Sequence, residues 1–531
     1  MSFNIYSESL HLANTIREIE HNYNKKTKRP NLISLAANEL FKIVTNFDKK
    51  YLKSIRLFIG PGNNGLDGLY LSSLLKKKKL NFSICLIGKA CSNHLNTVKE
   101  LSLEKYIASS EDISCDNFTL IIDALLGTGL NRLLEKEYIE VIENFKNINK
   151  QNAYLLSVDV PTGLDSDKGT FFDISKTFRA NLVCSFIALK PGLFTKSGTA
   201  LWSSIKHFNL ISKNQNLVKK NSTEYNNLFL YSLTPFYNYK IEIENPQTKH
   251  QLFNFTYNTE DHKTSYGKTL VIGGSEGYLG SVIIAGQSSL KSGSRYVEIL
   301  STQKHSETLA TYQPELISSY SLNDFEKKLM LYKNILIGPG LSNDKWSTKI
   351  FSEFNDYLLN EKTIKNIVLD AGALGLLAAK PFKYNNWVLT PHPGEAAKLL
   401  NITTKEVQRD RMQAAIDLQT KYGGIIILKG SGTIIRFPNK TYVCLHGNSG
   451  MGTAGMGDCL SGIILSIIGM SSIKSFSDAI LFATGLHSFA ADLIFKEKGG
   501  IGILASDVID KISSLINSTT NIEQLFENGK K

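Results

Sequence analysis

IRLFIGPGNNGLDGLYLSSLL, residues 55–75, sets an apolar run against a glycine-rich turn and then an amphipathic stretch. It reads as a buried strand that passes through Gly60, Pro61, Gly62, Asn63, Asn64 and Gly65 into a helix. Such a turn exposes backbone N–H groups at a helix N-terminus, which suits a pyrophosphate. The spacing is neither the dinucleotide GxGxxG fingerprint nor a P-loop, and a glycine turn by itself also serves as a plain structural turn. Asn63, Asn64 and Asp67 place three oxygen-bearing side chains at one helix start, where a single N-cap suffices, and so point to a bound cation or ribose.

Outward from this stretch, short aliphatic runs alternate with helical patterns from Ser54 to Ala188: IRLFIG, FSICLIG, TLIIDA and YLLSVDVP. That alternation predicts βαβ units and a parallel sheet. The same grammar restarts at Thr269 with TLVIGG, YVEIL, NILIGPG, NIVLDAG, WVLTPHPGE and IIILKG. Residues 211–264, rich in Asn, Lys, Tyr and Ser, read as the end of one domain, a linker and an irregular entry to the next. A chain of 531 residues exceeds one core, and the expectation is two α/β domains, 1–215 and 226–522.

The net charge of +12, from 60 basic and 48 acidic residues, favours encounter with polyanions but is spread along the chain. The densest basic run, Lys76 to Lys79, ends a helix, where cations complement the dipole; no nucleic-acid partner is expected. The six cysteines form no CxxC pair and have no histidine at zinc spacing, which fits idle thiols in a reducing cytoplasm. The N-terminus has no apolar secretory stretch, and the longest apolar-rich segment, Cys459 to Met470, is too short to span a bilayer. A cytoplasmic location without a membrane is the expectation.

Two more strand ends carry carboxylates: Asp123 before LLGTGL and Asp159 before PTGLDSD. Beyond the C-terminal ends of parallel strands these converge on a ligand crevice, though each Asp alone also serves as a cap or turn former. The ordered set GPGNNGLDG (60–68), DALLGTGL (123–130), SVDVPTGLDSDKG (157–169) and FIALKPGL (186–193) resembles the NAD(P)H-hydrate epimerase domain. The resemblance implies a Rossmann-like three-layer sandwich that binds the hydrated nicotinamide cofactor, NADHX or NADPHX, and potassium. It implies potassium at Asn64, Asp123 and Thr162, and ligand contacts from Asn63, Asn64, Gly65, Leu66 and Asp67 and from Gly127, Thr128, Gly129, Leu130, Asn131 and Arg132. It makes Asp159 the proton-transfer carboxylate. Leu66 stands where the family usually has glycine. One positioned acid/base is enough for epimerisation.

HGNSGMGTAGMGDCLSGIILSIIG, 446–469, is a glycine-rich loop entering an apolar helix. Gly452, Gly455 and Gly457 free N–H groups for an anion hole, and Asp458 would take the proton from an attacking hydroxyl, unless it is only an N-cap. KGSGT at 429–433 joins two strands and reads either as a nucleotide loop or as a plain hairpin, and His392 sits between two prolines in a presented loop. With IGGSEGYLG (272–280), IGPGL (337–341), LDAGAL (369–374) and TPHPGE (390–395), these resemble the ADP- or ATP-dependent NAD(P)H-hydrate dehydratase of ribokinase-like fold, over about Tyr266 to Asp507.

That resemblance implies Ser281, Gly340, His392 and Asp458 on the hydrate; Lys429, Gly430, Ser431, Gly432, Thr433 and Gly457 on the nucleotide; and magnesium with it. ADP is the expected co-substrate, with ATP open, and a homo-oligomer is expected. Gly372 and Gly375 replace residues that are polar in the family, which predicts weaker nucleotide or magnesium contact, while Asp370 stays at the strand end. An authentic ribokinase-like kinase for a vitamin or sugar alcohol is the rival reading.

Overall fold

The computed structural model describes every residue except 1, 26–30, 110, 111, 131, 148–152, 172–177, 212–226, 244–247, 255–259, 361–364, 471–474 and 518–531. Asn131, the expected domain limits at 215 and 226, and the last residues to 522 lie outside the described residues.

The chain divides into two compact units. The N-terminal unit, Glu8–Leu228 with Phe236–Gln247, is built on a seven-stranded sheet. Its strands run in the order Phe82–Leu86, Ile55–Ile59, Leu120–Ala124, Tyr154–Val158, Leu182–Phe186, Ile205–Phe208 and Ile241–Ile243, all parallel. Both faces are buried. Leu57 and Ile59 pack into one apolar cluster and Phe58 into another, which explains why the strand reads as a continuous apolar run without alternation. Ile55–Ile59 has its sequence successors on both sides, so the order reverses beside it and opens a crevice at its C-terminal end.

The C-terminal unit comprises Met1–Ser7, Phe229–Pro235 and Thr248–Lys531. Seven parallel strands form its centre, with Thr269–Ile272 between Val297–Leu300 and Asn334–Ile337, again a reversal point. Asn366–Leu369, Trp387–Leu389 and Ile425–Leu428 continue the parallel block, and Ile317–Ser319 closes its other edge. Ile425–Leu428 and Ile434–Arg436 then form the antiparallel hairpin expected around KGSGT.

Three features differ from the sequence reading. The stretch 211–264 is not merely linker: Leu228–Ser232, Ile241–Ile243 and Thr248–Asn254 are strands, and Ser2–Ser9 pairs antiparallel with Thr248–Asn254. Ile241–Ile243 and Thr248–Asn254 are edge strands, and Thr248–Asn254 carries polar residues with weak alternation, because pairing in the sheet and not local propensity holds it. Among the described residues the helix long and apolar enough to cross a membrane is Phe476–Lys498, not the segment at Cys459, and 89% of its apolar window is buried inside the protein. A core helix that is apolar all round gives the same signal as a membrane span.

Candidate active sites

In the N-terminal unit the turn after Ile55–Ile59 closes tightly. A Cβ on Gly60 would stand 1.7 Å from the Leu125 carbonyl oxygen, and one on Gly65 would stand 1.9 Å from that of Gly60. The helix Asn63–Lys77 starts behind Gly62 with no side-chain cap, so Asn63, Asn64 and Asp67 are not consumed by capping. A cavity of about 580 Å³ opens there, lined by Asn63, Asn64, Asp67, Gly127, Thr128, Gly129, Leu130, Arg132 and Asp159. Gly65 instead packs on Gly60, and Leu66 packs into the apolar core, so neither side of that pair lines the cavity.

Behind the cavity wall Asp123 is fully buried. It accepts from Thr162 Oγ1 at 2.6 Å, Thr162 N at 3.0 Å, Ser157 Oγ at 3.0 Å and Leu125 N at 3.3 Å. Burial pushes its carboxyl up, against those hydrogen bonds. Asn64 is buried with neither amide atom hydrogen-bonded among the described residues. An orphaned buried amide is costly, and its oxygen suits a monovalent cation. Asn64 and Asp159 lie against the same spot: a Cβ on Gly127 would stand 3.4 Å from Asn64 Cγ and 3.6 Å from Asp159 Oδ2.

Asp159 holds a left-handed backbone, φ 68°, at a strand end, a strained state for a non-glycine residue. The sequence reading missed its partner, Lys190. That lysine is fully buried and bonds Asp159 Oδ1, the Phe186 carbonyl at 2.8 Å and Ser185 Oγ at 3.2 Å. Its only signal was a cation inside the apolar run FIALKPGL. Glu20, from the helix Ala13–Asn24, also reaches the cavity unannounced. Burial, then Asp159, pushes the Asp67 carboxyl well up, with Glu20 adding to this and Lys190 opposing it; Glu20 is raised by burial and by Asp159.

In the C-terminal unit the loops after five parallel strands meet. A Cβ on Gly338 would stand 1.7 Å from the Asp370 carbonyl oxygen, and Gly340, φ 66°, lies against Tyr278 and Ser281. The Lys429 N–H bonds the Pro391 carbonyl at 2.9 Å. The helix Met456–Gly469 begins behind Gly455, φ 85°, with Asp458 in its first turn, so Asp458 is not the N-cap. Asp458 is hydrogen-bonded by Ser281 and is pushed up to about 7, by burial first and then by Asp370. Lys429 bonds Asp370 Oδ1 at 2.8 Å and approaches Glu395 at 3.8 Å. Burial alone would raise Asp370; Lys429 reverses this and leaves its carboxyl lowered. Gly457 lies against this pair, its absent Cβ 3.1 Å from Lys429 Nζ.

His392 caps the helix Pro393–Leu400. Its Nδ1 accepts from Gly394 N at 3.0 Å, its backbone N–H donates to Glu395 Oε2 at 2.7 Å, and its Nε2 lies 3.4 Å from Glu395 Oε1. Gly372 fills a tight contact: a Cβ there would stand 2.1 Å from the Leu341 carbonyl oxygen, whereas Gly375 faces open space. The glycine at 372 therefore lets two site loops touch.

Residues 30–192 match the family described as YjeF-related protein N-terminus, and residues 269–514 match NAD(P)H-hydrate dehydratase. The chain is 33% identical over 475 residues to the bifunctional NAD(P)H-hydrate repair enzyme Nnr of Coxiella burnetii, covering 88% of this chain and 90% of that one. Identity to the Escherichia coli protein of the same name is 30% over 466 residues, covering 86% and 84%. A solved ADP/ATP-dependent NAD(P)H-hydrate dehydratase from Bacillus subtilis, co-crystallised with ATP/Mg2+, aligns at 26% identity and TM-score 0.43, covering 52% of this chain and 94% of its own. Identity at this level runs through both units and nearly the whole length of the relatives, and on that ground the chain belongs to the family of bifunctional NAD(P)H-hydrate repair enzymes.

Proposed function

We propose that the N-terminal cavity interconverts the R and S forms of hydrated NADH and NADPH, with Asp159 moving the proton, and that Asp458 is the base of an ADP-dependent dehydration of the S form. Asp458 carries the second assignment. It is a buried carboxylate near neutrality at the start of a glycine-built helix, bonded to Ser281 on one side and facing the Lys429–Asp370 pair on the other. Such a group takes up a proton at physiological pH, as a general base must.

Asp458 accepts the proton of the hydrate's hydroxyl as that oxygen bonds to the terminal phosphorus of ADP. The bond from phosphorus to the bridging oxygen breaks, and AMP leaves. Phosphate then departs from the ring carbon with its C–O electron pair, and loss of the neighbouring ring proton restores the double bond. The N–H groups of Gly457 and the first helical turn face the transferring charge. Lys429 gives the same region a fixed cation.

Magnesium arriving with the nucleotide supplies charge neutralisation on the phosphates. Among the described residues no three His, Cys, Asp or Glu side chains gather to hold a metal, so the fitting arrangement is one or two carboxylates with phosphate oxygens. Asp370, whose Oδ2 has no hydrogen-bond partner among the described residues, is the first of these. In the other unit the orphaned Asn64 amide oxygen, backed by Asp123 and Thr162, fits potassium, which supplies a fixed positive charge beside the cavity. A cytoplasmic homo-oligomer belongs to the same reading.

The test is to incubate the chain with hydrated NADH and ADP. Recovery of NADH absorbance with release of AMP and phosphate supports the reading; a stable phosphorylated product with no NADH overturns it in favour of a small-molecule kinase.

A further inference from the structure

The loop Lys429–Thr433 owes its shape to a side chain that lies outside it. Arg411 opens the helix Arg411–Tyr422 and is almost fully buried, 2% exposed. Its Nη1 donates to the carbonyls of Ser431 and, at 3.1 Å, Gly432; its Nη2 donates to those of Leu428 at 3.2 Å and Lys429 at 3.3 Å. The one remaining carbonyl of the turn, that of Gly430, accepts from Thr433 Oγ1 at 3.1 Å. Five consecutive carbonyls are thus engaged by side chains.

In a trans peptide the C=O of one residue and the N–H of the next point in opposite directions. Drawing the Lys429, Ser431 and Gly432 carbonyls onto the guanidinium therefore turns the N–H groups of Gly430, Gly432 and Thr433 away from it. Gly430 and Ser431 are exposed on that outer side. The loop backbone meets the guanidinium so closely that a Cβ on Gly430, φ 144°, would stand 2.8 Å from Arg411 Nη2. Gly430 is thus a glycine where the arginine passes. Burial pushes the guanidinium down only to about 10, so it keeps its charge at neutral pH.

We infer that Arg411 is a positioning residue for the nucleotide: it moulds the 429–433 loop so that backbone N–H groups face the phosphates, with a buried positive charge directly behind them. The inference rests on the dehydratase reading of this unit. It assigns Arg411 no contact with the hydrate.

The full chain is compared with Arg411→Ala and Arg411→Lys by steady-state kinetics in ADP and in hydrated NADH, by calorimetric titration with AMP, and by thermal unfolding. Loss of charge-assisted hydrogen bonds predicts a KM for ADP raised about 10- to 100-fold in Arg411→Ala, with the KM for the hydrate and the epimerase rate little changed. Millimolar guanidinium should restore ADP affinity in the alanine variant. Lysine should recover only part of it, since one ammonium cannot span four carbonyls. An unchanged KM for ADP overturns the inference. So does a parallel loss of both KM values and of thermal stability that guanidinium does not reverse, in either variant. Absence of nucleotide-dependent dehydration in the unsubstituted chain instead overturns the site reading itself, a result recognisable before any variant is made.

Discussion

Both units set one buried lysine among several carboxylates at the C-terminal ends of parallel strands, but they connect them differently. In the N-terminal unit Lys190 bonds Asp159, the carboxylate assigned to proton transfer, while Asp67 and Glu20 are pushed toward their neutral forms. In the C-terminal unit Lys429 bonds Asp370, and the assigned base Asp458 is left raised to about 7. In both sites burial first, and neighbouring carboxylates second, raise the carboxyls that the lysine does not bond, with the lysine opposing them. That is the way environment separates acids from bases within one site.

The largest expected effect separates the two sites outright. Asp458→Asn should lower nucleotide-dependent dehydration by about 10²- to 10⁴-fold and leave R/S equilibration intact, while Asp159→Asn should do the reverse. Following NADH absorbance and the R/S ratio on the same samples checks both, and a joint loss in either variant breaks the comparison. Next comes Lys190→Met, which strands Asp159 without its ammonium. Breaking such a pair from one side costs about 3 kcal/mol, read as a lower midpoint in urea, and epimerisation should slow while the dehydratase keeps its rate per folded molecule.

A third effect is pH. Asp458 acts as a base only when ionised, so kcat/KM for dehydration should fall about tenfold per unit below its titration near 7, and should level above it. The linked stability has the opposite sign: a carboxyl raised from 3.8 to about 7 contributes stability that is fully present below 3.8, falls as pH rises above it and is gone once pH has passed about 7. A flat rate profile from pH 6 to 8 would remove Asp458 from the role of base. The smallest effect concerns Gly372. Because a Cβ there meets the Leu341 carbonyl at 2.1 Å, Gly372→Asp should destabilise the C-terminal unit by about 1–3 kcal/mol in thermal unfolding, without improving ADP affinity. Tighter ADP binding in this variant would restore the reading of Gly372 as a lost polar contact.

Much of this was legible without coordinates. The runs from Ile55 to Val158 and from Thr269 to Leu428 are strands because parallel strands buried on both faces must be continuously apolar, and a linear pattern records that. Strand-end motifs then marked Asp159 and Lys429, since the C-terminal ends of such strands face one crevice, and the glycine-rich start of a helix marked Asp458. The pairings were not legible. Lys190 and Asp159 are 31 positions apart, and Lys429 and Asp370 are 59 apart. Arg411 reads in sequence as an ordinary helical arginine.

Alternation of strand and helix, the glycine turns and the identity of the carboxylates follow from the chain alone, because backbone sterics and side-chain chemistry are local. Which carboxylate keeps its proton, which loop an arginine holds, and the placement of Ser2–Ser9 beside Thr248–Asn254 belong to tertiary structure. They depend on desolvation and on contacts between residues far apart in sequence, and no local pattern encodes those distances.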